Sequence, residues 1–476
     1  MTTSTAPPCP GCQQLQQQLN ELQARFAALQ ETVLQLQEQL AQARKNSSTS
    51  SKPPSSDIVQ PPKPSPPDGT STRQRGGQPG HPHHQRALVP PEQINGTNLD
   101  LRLDCCPDCG HSLQDVSQPT RVVQQLDIPV VPVQISEYRS HPGWCPHCQQ
   151  LHYAPMPGAV QRGGLVGPQL TTWIAFLKGA CHASFSTIRK FCRDVLQVAI
   201  SRGQLAKVIG KVSQALAQPY QELLEDLPEQ CRLNVDETGH KDQGERWWTW
   251  VFRAPLYTLF KIEPSRSADV LLDVLGEEFD GVLGCDYFSA YRRYMRRCDA
   301  VVQFCLAHLI RDIGFLTTLP HAGDQAYGKR LQAGMRQLFA VIHQREQLGE
   351  RVFRKRLRAA RDEILTEALR DVPATKHSQN MAKRFAKHGQ AYFEFVTTPN
   401  VEPTNNLAEQ AIRFVVIDRQ ITQGTRGAAG RHWSERIWTV IASCTQQGRS
   451  VFEYLQKAVA AWFEDRAAPS LIPQPN

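Results

Sequence analysis

Between residues 13 and 42 an apolar residue recurs at alternating spacings of four and three: Leu15, Leu19, Leu22, Phe26, Leu29, Val33, Leu36 and Leu40. Leu15, Leu22, Leu29 and Leu36 take d positions of a heptad, and Leu19, Phe26, Val33 and Leu40 take a positions. So narrow a seam runs along one side of a helix, and that helix cannot cover it. It needs a second apolar surface, either the chain's own body or an identical seam on a second copy. The remaining positions are mostly polar and include eleven Gln, which favours the second copy. Residues 13–45 therefore read as a coiled coil, a leucine zipper that makes the protein a homo-oligomer, at least a dimer.

The helix signal stops at Lys45-Asn46, and residues 46–99 read as a linker. Ser47 to Asp68 holds seven Ser and seven Pro in twenty-two residues, which disfavours packed structure. A basic stretch with Gly and His follows, Arg73 to His84. It could track phosphates through Arg73 and Arg75, touch a metal through His81, His83 and His84, or serve only as linker. The 476 residues leave room for about three domains at ~150 residues each, and 40% hydrophobic content supports a large core. No apolar run approaches the ~18 residues of a spanning helix, and the N-terminus lacks a basic-then-apolar leader. A cytoplasmic protein without membrane partners is expected, so its fourteen Cys read as metal ligands or reduced thiols rather than disulfides. The net charge of +8 is compatible with nucleic acid without demonstrating it.

Residues 100–155 read as a small β-rich module with two knuckles, Cys106-Pro-Asp-Cys109 and Cys145-Pro-His-Cys148. Two Cys-x-x-Cys pairs supply the four thiolates that tetrahedral Zn(II) takes, and a closed set leaves no position for catalysis. Cys106, Cys109, Cys145 and Cys148 are thus the expected ligands of a structural zinc. Cys9 and Cys12 form a similar pair without a second pair nearby. Residues 160–228 look helical, with Ser186 and Ser201 as N-caps of two helices in helix-turn-helix proportions. The helix after Ser201, beginning with Arg202, is the candidate DNA reader.

From residue 229 to 465 the pattern is mixed α/β, with strand-like runs at 232–236, 246–253, 256–262, 282–286 and 300–306. A helical stretch at about 310–395 interrupts it. Two strands end in acids, Asp236 in Asn-Val-Asp-Glu-Thr and Asp286 in Gly-Cys-Asp-Tyr. Carboxylates beside apolar strands are costly unless exposed, paired or bound to a cation. With a third carboxylate they would hold Mg(II) or Mn(II), and two such ions about 4 Å apart drive phosphodiester displacement. Glu409, on a helix expected from Asn405, can supply it, with Arg413 one turn further on. Arg292, Arg293, Arg296 and Arg297 follow Asp286 closely, and six basic residues without an acid lie between Arg351 and Arg361. Such density beside a metal site fits backbone phosphates. Trp247, Trp248 and Trp250 read as core rather than base-stacking residues.

Together these motifs, in order along nearly the whole chain, resemble the IS66-family transposases, a branch of the DDE transposases with an RNase H-like core. The resemblance runs through the zipper, Lys45-Asn-Ser-Ser48, Gly77-Gln-Pro-Gly-His81, the knuckles, Ile200-Ser-Arg-Gly203, Val235-Asp-Glu-Thr238, Asp286-Tyr287, Cys305-Leu-Ala-His308 and Asn405-Asn-Leu-Ala-Glu409. It implies a catalytic triad at Asp236, Asp286 and Glu409 with two Mg(II) or Mn(II) ions, and a helical insertion within the 122 residues separating Asp286 from Glu409. His308, in the family's Cys-x-x-His, could orient a scissile phosphate or water, or belong to a buried structural pair with Cys305. The resemblance further implies a bacterial, nucleoid-associated enzyme acting on double-stranded DNA, with element ends and target as partners and element-encoded accessory proteins as possible ones. Arg202, Arg413 and Arg426 join the four arginines after Asp286 as candidate DNA contacts. Thr404 stands where the family often carries Asp, and the segment after Arg413 departs from the commonest wording. The competing readings are a zinc and zipper DNA-binding regulator, an inactive relic, or a structure-specific nuclease on the same core.

Overall fold

The computed structural model describes residues 10–45, 88–94, 103, 105, 107–111, 122, 124 and 133–473. They belong to two compact units, residues 62–136 and residues 1–61 with 137–476. Most of the expected β segment 122–135, together with Cys9 and Cys106, lies outside the described residues. In the smaller unit the Gln124 side chain both accepts from the Val89 amide (2.7 Å) and donates to its carbonyl (2.9 Å).

In the larger unit the heptad segment is one unbroken helix, α1 (Pro10–Ala43). All eight seam residues are exposed, so among the described residues nothing covers the stripe. The C-terminal end of α1 touches the rest of the unit: Glu38 meets His377 at 2.8 Å, and the Lys45 ammonium sits 4.3 Å from the Phe315 ring centre. The second knuckle forms the turn of an exposed antiparallel hairpin, β1 (Pro142–Cys145) and β2 (Gln150–Tyr153).

Five helices follow: α2 (Gly158–Gly163), α3 (Pro168–Gly179), α4 (Phe185–Asp194), α5 (Arg202–Ala215) and α6 (Ala217–Asp226). Ser201 caps α5 as expected, its hydroxyl accepting from the Gln204 amide at 3.1 Å. The cap of α4 is Ser184 rather than Ser186, accepting from the Thr187 amide at 3.0 Å. Ser186 sits inside the first turn and instead accepts a hydrogen bond from Arg202 at 2.7 Å. One side of α5 is committed to the core through Leu205, Val208, Ile209 and Val212.

The centre is a five-stranded mixed sheet. Its strands are β3 (Arg232–Asp242), β4 (Glu245–Arg253), β5 (Thr258–Glu263), β6 (Val282–Cys285) and β7 (Val301–Phe304), in the order β5-β4-β3-β6-β7. The first three make an antiparallel meander, and β6 and β7 add in parallel through α7 (Ala268–Leu275) and α8 (Ser289–Cys298). The β3–β4 connection is two residues, Gln243 and Gly244, both at positive φ (52° and 88°). That is the backbone twist a two-residue hairpin favours.

After β7 come α9 (Leu306–Leu316) and then α10 (Ala322–His343), α11 (Glu350–Leu369) and α12 (Lys376–His388), the expected helical stretch. The chain returns as α13 (Asn406–Thr422), α14 (Ala428–Gln446) and α15 (Val451–Phe463). Helix α13 runs on to Thr422 through a β-branched run that alone disfavours helix. Burial of Val415 and Asp418 against neighbouring elements outweighs that preference.

Helix α14 covers the edge of the sheet, where β5 would otherwise expose unpaired amides. The amides of Thr258, Phe260 and Ile262 donate to the side chains of Ser443 (3.1 Å), Thr439 (3.1 Å) and Glu435 (2.7 Å). Two strand residues rise about 6.8 Å and four helix residues about 6 Å, so the spacings match.

Candidate active site

Parallel pairing places the first two acids side by side. Asn234 on β3 is level with Gly284 on β6, and Asp236 and Asp286 each lie two residues beyond that pair. Adjacent strands sit about 4.8 Å apart. Gly284 leaves room for the Asn234 side chain, since a Cβ there would come within 2.6 Å of its Nδ2. Each carboxylate accepts a backbone amide, Asp236 from Glu237 at 2.9 Å and Asp286 from Phe288 at 2.8 Å.

Glu409 enters from the first turn of α13. Asn405 precedes that helix, but its side chain does not cap it. It is buried and joins three elements instead. Its Nδ2 donates to the Val235 carbonyl (2.8 Å), its Oδ1 accepts from Asn234 Nδ2 (3.0 Å), and its backbone amide donates to Cys305 Sγ (3.1 Å). Asn405 thus ties the root of Glu409 to the strand of Asp236 and to the residue that starts the helix of His308.

His308 Nδ1 lies 3.7 Å from Glu409 Oε1, beyond hydrogen-bond reach. The two atoms are buried without a hydrogen-bond partner. Ligand atoms of Cys305, His308 and Glu409 all lie within 4.8 Å of one another. Burial pushes the His308 imidazole below its ordinary pKa, against the pull of Glu409 and Asp286. Burial also raises the Cys305 thiol, whose sulfur accepts amides at the start of α9.

The acids feel one another. Asp236 is raised well above the usual carboxylate range by burial, then by the charges of Glu237, Asp286 and Glu409. Asp286 is raised by burial, opposed by the Phe288 amide and by His308, Arg266 and Arg384. A cation would relieve this crowding and give the Glu409 oxygen a partner, and the ligand atoms brought within 4.8 Å of one another among the described residues are one thiol, one imidazole and one carboxylate, those of Cys305, His308 and Glu409.

Three neighbours escape sequence reasoning. Glu237 faces away from Asp236, as strand alternation requires, and accepts from Arg266 (2.8 Å) and from the Tyr291 hydroxyl. Burial and the charge of Asp286 push it up to about 7. Tyr287, next to Asp286, lies between two guanidiniums, Arg292 at 4.5 Å and Arg384 at 3.9 Å from its ring centre. Arg384, brought by α12, also reaches Asp312 at 2.8 Å. A basic residue on a distant helix carries no sequence mark of such a contact.

The other candidate residues scatter. Arg297 pairs with Glu277 at 2.7 Å, while Arg293, Arg296, Arg413 and Arg426 are exposed. Among the described residues no ion pair joins Glu409 to Arg413. The Arg351–Arg361 run finds acids from outside it, Arg354 pairing with Glu350 and Arg361 with Asp362 at 2.8 Å. Trp250 is fully buried, whereas Trp247 and Trp248 are partly exposed beneath Arg431 (4.2 Å) and Arg246 (4.7 Å). In the hairpin knuckle the Cys145 thiol is lowered by the Cys148 amide, the Cys148 thiol and the His147 amide. Cys148 Sγ lies 3.3 Å from His152 Nε2. Cys109 is exposed in the 62–136 unit, and Cys106 lies outside the described residues.

Comparison with known proteins gives two family matches. A family model described as "Transposase IS66 family" matches residues 163–432. A family of unknown function (DUF6444) matches residues 7–87. No curated protein matches the chain.

Proposed function

Because the chain belongs to the IS66 transposase family, we propose that it cuts and joins DNA at Asp236, Asp286 and Glu409 on an RNase H-like core. What supports this reading is that the charges of Asp286 and Glu409 both act on the buried Asp236, and that Glu409 carries a buried oxygen without a hydrogen-bond partner beside His308. The meander followed by two parallel strands supports an RNase H-like core, with α9–α12 as its insertion.

Asp236, Asp286 and Glu409 would hold two Mg(II) or Mn(II) ions, which activate the attacking oxygen and stabilise the leaving one in an in-line displacement. The chain's own groups do the rest. Asn405 holds Glu409 against β3, and the amides of Glu237 and Phe288 fix the two aspartates. His308 orients the scissile phosphate or the attacking water. Water first frees a 3′-OH at the element end, and that hydroxyl then attacks target DNA, so no protein–DNA covalent bond is needed. The zipper would pair two copies, Cys106, Cys109, Cys145 and Cys148 would hold a structural zinc, and α4–α5 with Arg202 would help read the element ends. Arg292, Arg293, Arg296, Arg297, Arg413 and Arg426 would meet phosphates.

The test is cleavage and joining of a labelled element end with Mg(II). Asp236→Asn, Asp286→Asn and Glu409→Gln are each expected to abolish both steps and leave DNA binding intact. Cleavage surviving in any one of them removes that residue from the site. Cleavage without joining in the wild type reduces the protein to a nuclease.

A further inference from the structure

Beyond the acids, β3 continues toward its hairpin and α13 runs beside it, and between them lies a cavity of about 500 Å³. Its lining includes Gly239, Lys241, Arg246, Arg419 and Gln423 and no carboxylate. Three cations come from three elements: Lys241 from β3, Arg246 from β4 and Arg419 from α13. Among the described residues none of them has an acid within ion-pair distance. Asp242, the acid nearest in sequence, is occupied, because it accepts from the Thr425 hydroxyl (2.8 Å), the Gly427 amide (2.7 Å) and Arg431.

Arg419 is the telling residue. Its guanidinium is partly buried, enough that burial lowers its pKa, yet its hydrogen-bond partner is a neutral hydroxyl, Thr238 Oγ1 at 3.2 Å. Desolvating a cation without an anion is unfavourable unless a ligand supplies the charge.

We infer that this cavity is a subsite for a backbone phosphate of the DNA strand that passes through the active site. The inference rests on the transposase reading of that site. Gly239 is three residues along an extended strand from Asp236, about 10 Å at ~3.3 Å per residue. At 3.4 Å of axial rise per nucleotide that is about three steps from the scissile phosphodiester. A backbone phosphate rather than a base is the occupant because cations without paired acceptors read charge, not sequence.

The experiment measures affinity of the full-length protein for duplex oligonucleotides of two unrelated sequences across a salt series. Arg419→Gln, and separately Lys241→Gln with Arg246→Gln on the surface, should weaken binding equally for both sequences. Each lost contact should flatten the log K against log[salt] slope by about 0.9. Arg419→Lys should restore the slope, which excludes a merely structural loss, and Asp236→Asn should leave it unchanged. Unchanged slopes in folded variants of a DNA-binding wild type overturn the subsite alone. A wild type that binds no DNA overturns the transposase reading and the subsite together. Weakening for one sequence only overturns the phosphate assignment in favour of base recognition.

Discussion

Replacing Asn405 should dismantle the candidate site without touching any of its acids. Asn405→Ala removes a donor from the Val235 carbonyl and an acceptor from Asn234 Nδ2, in a place where Asn405 is only 1% exposed. Each buried group left unpaired costs about 1–3 kcal/mol, so the pair predicts a loss of roughly 2–6 kcal/mol. Asn405→Asp keeps the acceptor but turns an oxygen toward the Val235 carbonyl, and adds a charge to a region already crowded with acids. Both variants are expected to lower the urea midpoint and, where folded protein remains, to lower kcat for end cleavage while KM for DNA stays near wild type. That split distinguishes a positioning residue from a DNA contact. A stability change below about 1 kcal/mol with a wild-type kcat would refute the reasoning, because the two side-chain hydrogen bonds would then carry neither the fold nor the geometry.

Two further outcomes follow from the same structure. His240 is buried against Thr425 (2.9 Å) and Thr249 (3.3 Å), and burial, then Arg419, hold it down to about 4 from 6.5. Its stabilising effect is therefore full above pH 6.5 and lost as pH falls through 4, a difference of about 3 kcal/mol at 1.36 kcal/mol per unit. The urea midpoint should drop more steeply from pH 7.5 to 4.5 in the wild type than in His240→Gln, and parallel curves would disprove it. The exposed seam of α1 predicts that Leu22→Lys with Leu29→Lys converts an oligomer to a monomer in light scattering; a wild type that is already monomeric disproves the zipper.

What could be read from sequence was what depends on neighbours in the chain. The heptad seam, the Ser201 cap and the strand-end acids follow from periodicity or from one residue's chemistry at a boundary. Ser184 and Ser186 offer the same hydroxyl two residues apart, so composition alone could not choose between them, and the backbone turn did. Glu409 and Arg413 sit at a spacing that normally pairs, yet the burial of His308 beside α13 draws the acid inward and leaves Arg413 in solvent. Asn405 looked like a helix cap because Asn commonly caps; its partners on β3 are about 170 residues away and invisible to local rules. The cavity beside Arg419 is likewise a product of how α13 meets the open edge of β3.

Distant contacts also hold the two ends of the long helical stretch between Asp286 and Glu409 against the sheet. The insertion is stapled where it leaves and rejoins the sheet. The Leu306 amide donates to the Pro403 carbonyl at 2.9 Å, and the Asn405 amide donates to Cys305 Sγ. Gln303, buried in β7, accepts from the Phe395 amide (3.0 Å) and donates to the Tyr392 carbonyl (3.0 Å). These bonds close the loop at its base, so the entropy of the intervening chain bears on the closure as a whole and not on the placement of Glu409. Asp236 and Asp286 are set by strand register and Glu409 by the staple, two constraints that do not pass through α10 and α11. Helix α12 is different, because Arg384 stacks on Tyr287 beside Asp286. With His308 on α9, it makes two helices of the insertion that contribute a side chain beside the acids.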